Sequence, residues 1–205
     1  LGSHSHVKKA VQVVHEILVK NDLKFYKPKK VPQHPFSSQS YRPELDCSEL
    51  CNDSEWEIFM SLVGVARWIC EIGRVDILTE ISLLSTYCAA PRIGHLHQLL
   101  HVFHYLEHHM KSTLVMDPDY ANIDISTDQE KDSPEHRAKL MLELYPDAVE
   151  DIPPDMPEAL GNPVEINTFV DSDHAGDSVT RRSRTGIIIF LNKAPILWLS
   201  QRQAT

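Results

Sequence analysis

Residues 165–200 read EINTFVDSDHAGDSVTRRSRTGIIIFLNKAPILWLS, and this run contains three short apolar segments rich in β-branched and aromatic residues. Such segments, bounded by Asp, Gly, Asn and Ser, are typical of β-strands. The predicted strands are Glu165–Asp171, Gly186–Leu191 and Ile196–Ser200. Asn192 and Lys193 form a short turn between the last two, and such a connection joins antiparallel neighbours. The sequence therefore predicts a three-stranded antiparallel meander.

Acidic side chains cluster at the end of the first predicted strand. Because strand side chains alternate between faces, Asp171 and Asp173 point to the same face if the strand continues. Two neighbouring carboxylates repel each other unless a cation lies between them, and Mg²⁺ prefers oxygen ligands. The alternative is that these residues and Asp177 are only turn formers. A calcium-binding loop is excluded, because Ala175 and Arg182 stand where that loop needs oxygen ligands.

Four helices are expected in the first half of the chain. Apolar residues between Val7 and Leu18 recur with helical spacing. The pattern Ser54-x-x-Glu57 is a capping box, and the apolar helix after it is expected to stop at Gly73. Two further helices are expected at about Asp76–Tyr87 and about Gly94–Met110. Very short turns join the last three helices, so they must pack together as a helical subdomain.

The net charge of -9 comes from one segment. Residues 117–163 contain 13 acidic and 3 basic residues, so the remaining residues carry a balance of +1. This segment also contains prolines, and we expect a mainly flexible acidic connection with one short helix at 136–144. The neutral to basic regions on either side permit contact with nucleic acid. The predicted organisation is an N-terminal helix and basic linker at 1–40, a helical subdomain at 41–116, the connection at 117–163 and the sheet at 164–205.

The sequence argues against a membrane-spanning or secreted protein. No apolar run approaches the ~18 residues that span a bilayer, and the N-terminus lacks an apolar secretory segment. The sequence therefore predicts an intracellular protein without a membrane partner. Cys47 and Cys51 form one C-x3-C pair with no second pair after it, which favours reduced thiols over a zinc site.

Residues 169–203 resemble the start of the ribonuclease H domain of copia-type retrotransposon polyproteins. In that family a strand bearing the first catalytic aspartate precedes an Arg-Ser…Gly turn, a second apolar strand and a third strand ending in Trp, Ser and Gln. The corresponding runs here are Phe169–Asp177, Thr180–Gly186, Ile187–Leu191 and Pro195–Gln203. The resemblance implies that Asp171 is catalytic, and that Asp171 and Asp173 belong to a Mg²⁺ site. His174 stands where the family usually has tryptophan.

The helical region resembles the thumb of the reverse transcriptase in the same polyprotein. The matching runs are Ser61–Gly64, Arg74–Ile77, Leu83–Tyr87, Pro91, Gly94–Leu96 and Tyr105–Leu106. Val75 replaces a proline that is common in the family, and Glu107 replaces a common lysine. The resemblance implies an α+β chain, in which a thumb-like subdomain of three or four helices and an acidic connection precede a truncated ribonuclease H-like sheet.

By this resemblance the chain is part of an RNA-directed DNA polymerase and ribonuclease H polyprotein. Its helices are expected to guide the primer–template. Its expected partners are an RNA–DNA hybrid or primer–template and the remainder of the polyprotein. The polymerase motif Tyr-x-Asp-Asp and the later nuclease carboxylates are expected outside these 205 residues, so we expect the chain alone to be inactive. The main alternative is a degenerate, non-enzymatic remnant whose helices bind nucleic acid or protein.

Three arginines, Arg181, Arg182 and Arg184, lie beside the acidic strand end. Arginine donates paired hydrogen bonds to phosphate, so these residues are candidates for contact with the backbone of an RNA–DNA hybrid. The alternative is a solvated turn whose charge balances that of the neighbouring aspartates.

Four histidines recur on one side of the last predicted helix: His97, His101, His104 and His108. Helical spacing places them away from the apolar stripe, which predicts a solvated face. Histidine also donates to phosphate, so contact of this face with nucleic acid is a further hypothesis. A weaker alternative is a histidine-rich metal-binding protein, since one helix supplies two neighbouring zinc ligands at best.

Overall fold

The computed structural model describes residues 3–21, 31–121, 153–157 and 160–204. Within them, four α-helices precede three β-strands: α1 His4–Lys20, α2 Asp53–Glu71, α3 Leu78–Ser85, α4 Ile93–His108, β1 Ile166–Ser172, β2 Arg184–Leu191 and β3 Ala194–Arg202. Short 3-10 turns lie at Pro43–Leu45 and Val75–Ile77. The predicted α+β class is confirmed, with helices first and an antiparallel sheet after them. Most of the acidic connection, including the short helix expected at 136–144, lies outside the described residues.

Helix α2 is capped at both ends, by side chains at its start and by a glycine after its end. At its start the Glu55 N–H donates to the Asn52 side chain at 3.0 Å, and the Asn52 N–H donates to the Glu55 carboxylate at 2.9 Å. The capping box predicted at Ser54 and Glu57 is therefore wrong by two residues, because asparagine is as good an N-cap as serine. At the other end Gly73 has a φ of 116°, which confirms the predicted stop at glycine.

All four helices contribute to one apolar core. Val7, Val14 and Leu18 of α1 belong to the same buried cluster as Phe59 of α2 and Phe103 of α4. Burying one large apolar side chain stabilises the folded state by about 1.5–3 kcal/mol. These contacts hold α1 against the bundle. None of the helices among the described residues is long and apolar enough to span a bilayer.

The strands form the predicted meander in the order β1-β2-β3, and both pairs are antiparallel. Asp171 of β1 is the partner of Gly186 in β2. The turn between β2 and β3 is Asn192-Lys193, as predicted, and Asn192 has a φ of 53°. Asparagine tolerates this left-handed conformation better than most residues, so local turn chemistry explains the hairpin.

The sheet contacts the helices through its third strand. Trp198 Nε1 donates to the carbonyl oxygen of Cys70 in α2 at 3.0 Å, and Ser82 Oγ of α3 donates to the Ser200 carbonyl oxygen at 2.5 Å. On the opposite edge, Phe169 and Val170 of β1 are exposed. Docking through β3 brings the end of the sheet that carries the β1–β2 loop close to the helical subdomain.

Candidate nucleic-acid interface and metal-binding residues

Two aspartates organise the loop between β1 and β2. The Asp177 carboxylate accepts the backbone N–H groups of Val179 at 3.0 Å and Thr180 at 2.8 Å. The Asp173 carboxylate accepts the Arg184 N–H at 2.7 Å. Burial raises the pKa of Asp177, but the hydrogen bonds from Thr180 and Val179 outweigh it and hold this pKa below its usual value. The loop therefore has a defined shape, in which both aspartates accept hydrogen bonds from backbone N–H groups.

A cleft of about 300 Å³ lies between this loop and the helical subdomain. Four arginines line it: Arg42 from the helical side, Arg182 from the loop, Arg184 from the start of β2 and Arg202 from the end of β3. The helical side contributes Tyr41, Arg42, Glu44, Thr86 and Tyr87. Guanidinium groups that converge in this way donate charge-assisted hydrogen bonds to phosphate or carboxylate. The cleft is therefore a candidate site for an anionic ligand.

Arg184 connects the loop to the helices. Its guanidinium donates to Ser82 Oγ on α3, and its carbonyl oxygen accepts the Asp173 N–H at 3.1 Å. Burial lowers the pKa of the Arg184 guanidinium, although the nearby Asp173 carboxylate raises it. Arginine nevertheless remains protonated in proteins. The cleft therefore contains a partly buried positive charge held in place by α3.

The structure separates the three arginines that were predicted to contact nucleic acid. Arg182 and Arg184 line the cleft, whereas Arg181 is exposed and does not line it. Sequence reasoning missed Arg202, which lies opposite Arg184 in the β2–β3 pairing. Counting back from the two-residue turn would have paired Arg184 with position 201. A register shift between Ile189 and Phe190 moves the partner by one residue. A bulge of this kind has no clear signal in the sequence.

Asp171 is exposed in β1, whereas β1 ends at Ser172 and leaves Asp173 just outside the strand. One oxygen of Asp173 accepts backbone N–H groups, from Arg184 at 2.7 Å and from Gly176 at 3.4 Å. Among the described residues, no group of three potential ligands within 4.8 Å includes these aspartates. A site for two Mg²⁺ ions needs several converging carboxylates, and the carboxylates described here do not fit one. A role for Asp171 and Asp173 as metal ligands stays a prediction.

A second set of metal-binding residue types lies on α4. His104, Glu107 and His108 each have a ligand atom within 4.8 Å of the other two. His97 and His108 are exposed, as predicted for a solvated histidine face. That prediction is wrong for His104, which is buried with 6% of its surface exposed. The reason is that α1 also packs against α4, so the helix is covered on more than the side of its apolar stripe.

The remaining predicted histidine, His101, is partly buried, and burial lowers its pKa.

Comparison of the chain with known protein families, with curated proteins and with solved structures finds no match. Two features of the structure then indicate a function. They are the arginine-lined cleft beside the sheet and the His/Glu group on α4.

Proposed function

We propose that the chain is part of a retrotransposon RNA-directed DNA polymerase and ribonuclease H polyprotein, and that its arginine-lined cleft binds the backbone of an RNA–DNA hybrid or primer–template. In this proposal α2, α3 and α4 guide the nucleic acid, and β1, β2 and β3 are the first strands of a ribonuclease H-like domain. The sequence resemblance supports the identity. The order of the meander and the exposure of Asp171 in its first strand agree with it.

The observation that carries the binding proposal is the pairing of two arginines across the sheet. Arg184 and Arg202 are direct partners in β2 and β3, and like charges opposite each other destabilise a sheet. Arg182 lines the same cleft. Glu44, Asp173 and Asp177 also line it, so four arginines and three carboxylates leave the cleft with an excess of one positive charge. Backbone N–H groups occupy one oxygen of Asp173 and one of Asp177. A phosphate in the cleft relieves the repulsion by accepting hydrogen bonds from both paired arginines.

Fluorescence anisotropy with a labelled RNA–DNA hybrid tests this proposal. Arg182→Ala and Arg202→Ala are each expected to weaken binding, and each should lower the slope of log affinity against log salt by about 1. Arg181→Ala is the matched control, because it removes the same charge from the same loop outside the cleft. Circular dichroism of each variant is the check that the substitution leaves the protein folded. Equal losses for Arg181→Ala and Arg182→Ala would mean that the nucleic acid does not enter the cleft.

A non-enzymatic module that binds nucleic acid or protein is the second candidate. It is favoured by the position of Asp173. One oxygen of this carboxylate accepts the Arg184 N–H, and Asp171 is then the exposed carboxylate within β1. Sequencing the genomic reading frame on both sides separates the two candidates. An upstream Tyr-x-Asp-Asp motif and downstream carboxylates support the polyprotein, whereas stop codons support the remnant.

A further inference from the structure

Three potential metal ligands lie close together near the end of α4, one more than the two that the sequence led us to expect from a single helix. His104, Glu107 and His108 are spaced i, i+3 and i+4, which puts them on one face of the helix. His104 Nδ1 lies 3.3 Å from Glu107 Oε2. In a tetrahedral zinc site with Zn–N bonds of about 2.0 Å, neighbouring ligand atoms are separated by roughly 3.3 Å. His104 and Glu107 are therefore already near the spacing that a bound ion imposes, and a ligand atom of His108 lies within 4.8 Å of both.

A backbone hydrogen bond orients the imidazole of His108. Its Nδ1 lies 3.0 Å from the carbonyl oxygen of His104, so Nδ1 carries the proton and donates it. The neutral ring then has an unprotonated Nε2 with a lone pair. Histidines that bind metals usually donate their second nitrogen to a carbonyl or carboxylate in this manner. This tautomer leaves the Nε2 lone pair of His108 available to a metal ion.

Helix α1 places His15 beside this group, but among the described residues the ligand atoms that all lie within 4.8 Å of one another belong to His104, Glu107 and His108 and not to His15. His15 Nε2 lies 3.8 Å from Oε1 of Glu107, whereas His104 Nδ1 contacts the other oxygen, Oε2. Val11 and Val14, close to His15 in α1, are buried in the core and fix the position of this helix. An ion held by the three residues of α4 would join α1 to α4 once the His15 side chain turns toward it.

The surroundings of the group allow an ion to enter from solvent. An open depression of about 550 Å³ is lined by Glu107 and His108, together with His4, His109 and Lys111. On the inner side, His104 is buried. Three imidazoles and one carboxylate form a nitrogen-rich set, which suits Zn²⁺, whereas Mg²⁺ and Ca²⁺ prefer oxygen ligands.

We propose that His104, Glu107 and His108 bind one Zn²⁺ ion, and that His15 turns toward this ion as the fourth ligand and fastens the N-terminal helix to the bundle. Four protein ligands complete a tetrahedral shell, as in structural zinc sites. The site lies on α1 and α4, apart from the arginine-lined cleft, and it does not depend on the proposed nucleic-acid function.

Competition for Zn²⁺ against a chromophoric chelator, with the full chain, measures the stoichiometry and affinity. The expected result is one equivalent bound, with Co²⁺ giving the absorption of a tetrahedral site. His108→Ala and Glu107→Gln should each weaken Zn²⁺ binding by more than about 10-fold, since even outer-shell changes cost that much. These two positions are preferred to the buried His104, because side chains that are partly or fully exposed tolerate substitution better.

His97→Ala is the matched control, because it removes an exposed histidine from the same helix without touching the group. Its affinity for Zn²⁺ should equal that of the unmodified chain. His15→Ala tests the contribution of α1 and should also weaken binding. The proposal is overturned if no stoichiometric Zn²⁺ binds, or if His97→Ala and His108→Ala lose affinity equally. An unchanged affinity in His15→Ala would overturn the link between the two helices.

Discussion

Replacing Asp76 by asparagine is expected to destabilise the protein by about 3 kcal/mol, because the change leaves a buried guanidinium without its counter-charge. The Arg74 side chain is 1% exposed, and its Nε and Nη2 each donate to the Asp76 carboxylate at 2.8 Å. The Tyr105 hydroxyl donates to the same carboxylate at 3.1 Å. Asparagine preserves the shape of the side chain but removes the charge, so the energetic effect isolates the ion pair.

The size of the effect follows from the exposure of the two partners. Removing one member of a buried ion pair costs about 3–5 kcal/mol, because the other charge stays in the core. The Asp76 side chain is 33% exposed, so water can reach the site and the lower end of that range is expected. In a chain of this length, about 3 kcal/mol corresponds to a fall in Tm of roughly 6–12 °C.

Urea unfolding followed by circular dichroism measures this difference in the free energy of unfolding. The double variant Arg74→Met/Asp76→Asn should recover most of the loss, because no unpaired charge remains in the core. Glu71→Gln, which neutralises an exposed carboxylate at the end of α2, is the control and should change stability by less than about 0.5 kcal/mol. A loss below about 1 kcal/mol for Asp76→Asn, or no recovery in the double variant, would refute the reasoning.

The same pair has a defined dependence on pH. Burial raises the pKa of Asp76, but the hydrogen bond and the charge of Arg74 outweigh it, and the pKa lies below its usual value of 3.8. Because the pKa is lower in the folded state, the stabilisation is present above pH 3.8 and is lost as the pH falls through the folded-state value. The difference between the unmodified chain and Asp76→Asn should therefore narrow below about pH 4.

Two further predictions concern the first turn of α4. A Cβ at Gly94 would lie 1.8 Å from Oδ2 of Asp46, whose carboxylate is held in place by hydrogen bonds from Tyr41 and Ser48. Gly94→Ala should therefore destabilise the protein by about 1–3 kcal/mol. Thermal unfolding checks this against Gly64→Ala, whose Cβ meets nothing within 4 Å and which should not destabilise α2. His95 is buried and its ring nitrogen contacts the Pro43 carbonyl oxygen, and burial lowers its pKa from 6.5. The stabilising contribution of His95 is thus complete above pH 6.5 and declines as the pH falls towards its pKa in the folded state. The Tm of the protein should therefore drop between pH 7 and pH 5. An equally steep drop in a His95→Gln variant would contradict the assignment of this pH dependence to His95.

Two predictions from the sequence were wrong, the N-cap of α2 and the solvated histidine face of α4, and each has a physical reason. Ser54 and Asn52 both have side chains suited to capping α2, and the sequence alone did not show which of them the first turn uses. The histidines of α4 were assigned to a solvated face from the position of the apolar stripe on one helix. The pattern of one helix does not reveal which of its faces a second helix covers, and α1 covers part of the surface that was expected to be solvated.

By itself the sequence determined where the strands, the four helices and the Asn192-Lys193 turn lie, because these depend on side chains a few residues apart. Only the tertiary structure decided which distant charges meet. Arg202 reaches Arg184 because a bulge shifts the register of the third strand. His15 reaches Glu107 because apolar burial fixes α1 against the bundle. Both contacts arise from packing between segments far apart in the chain, and no local pattern of residues specifies them.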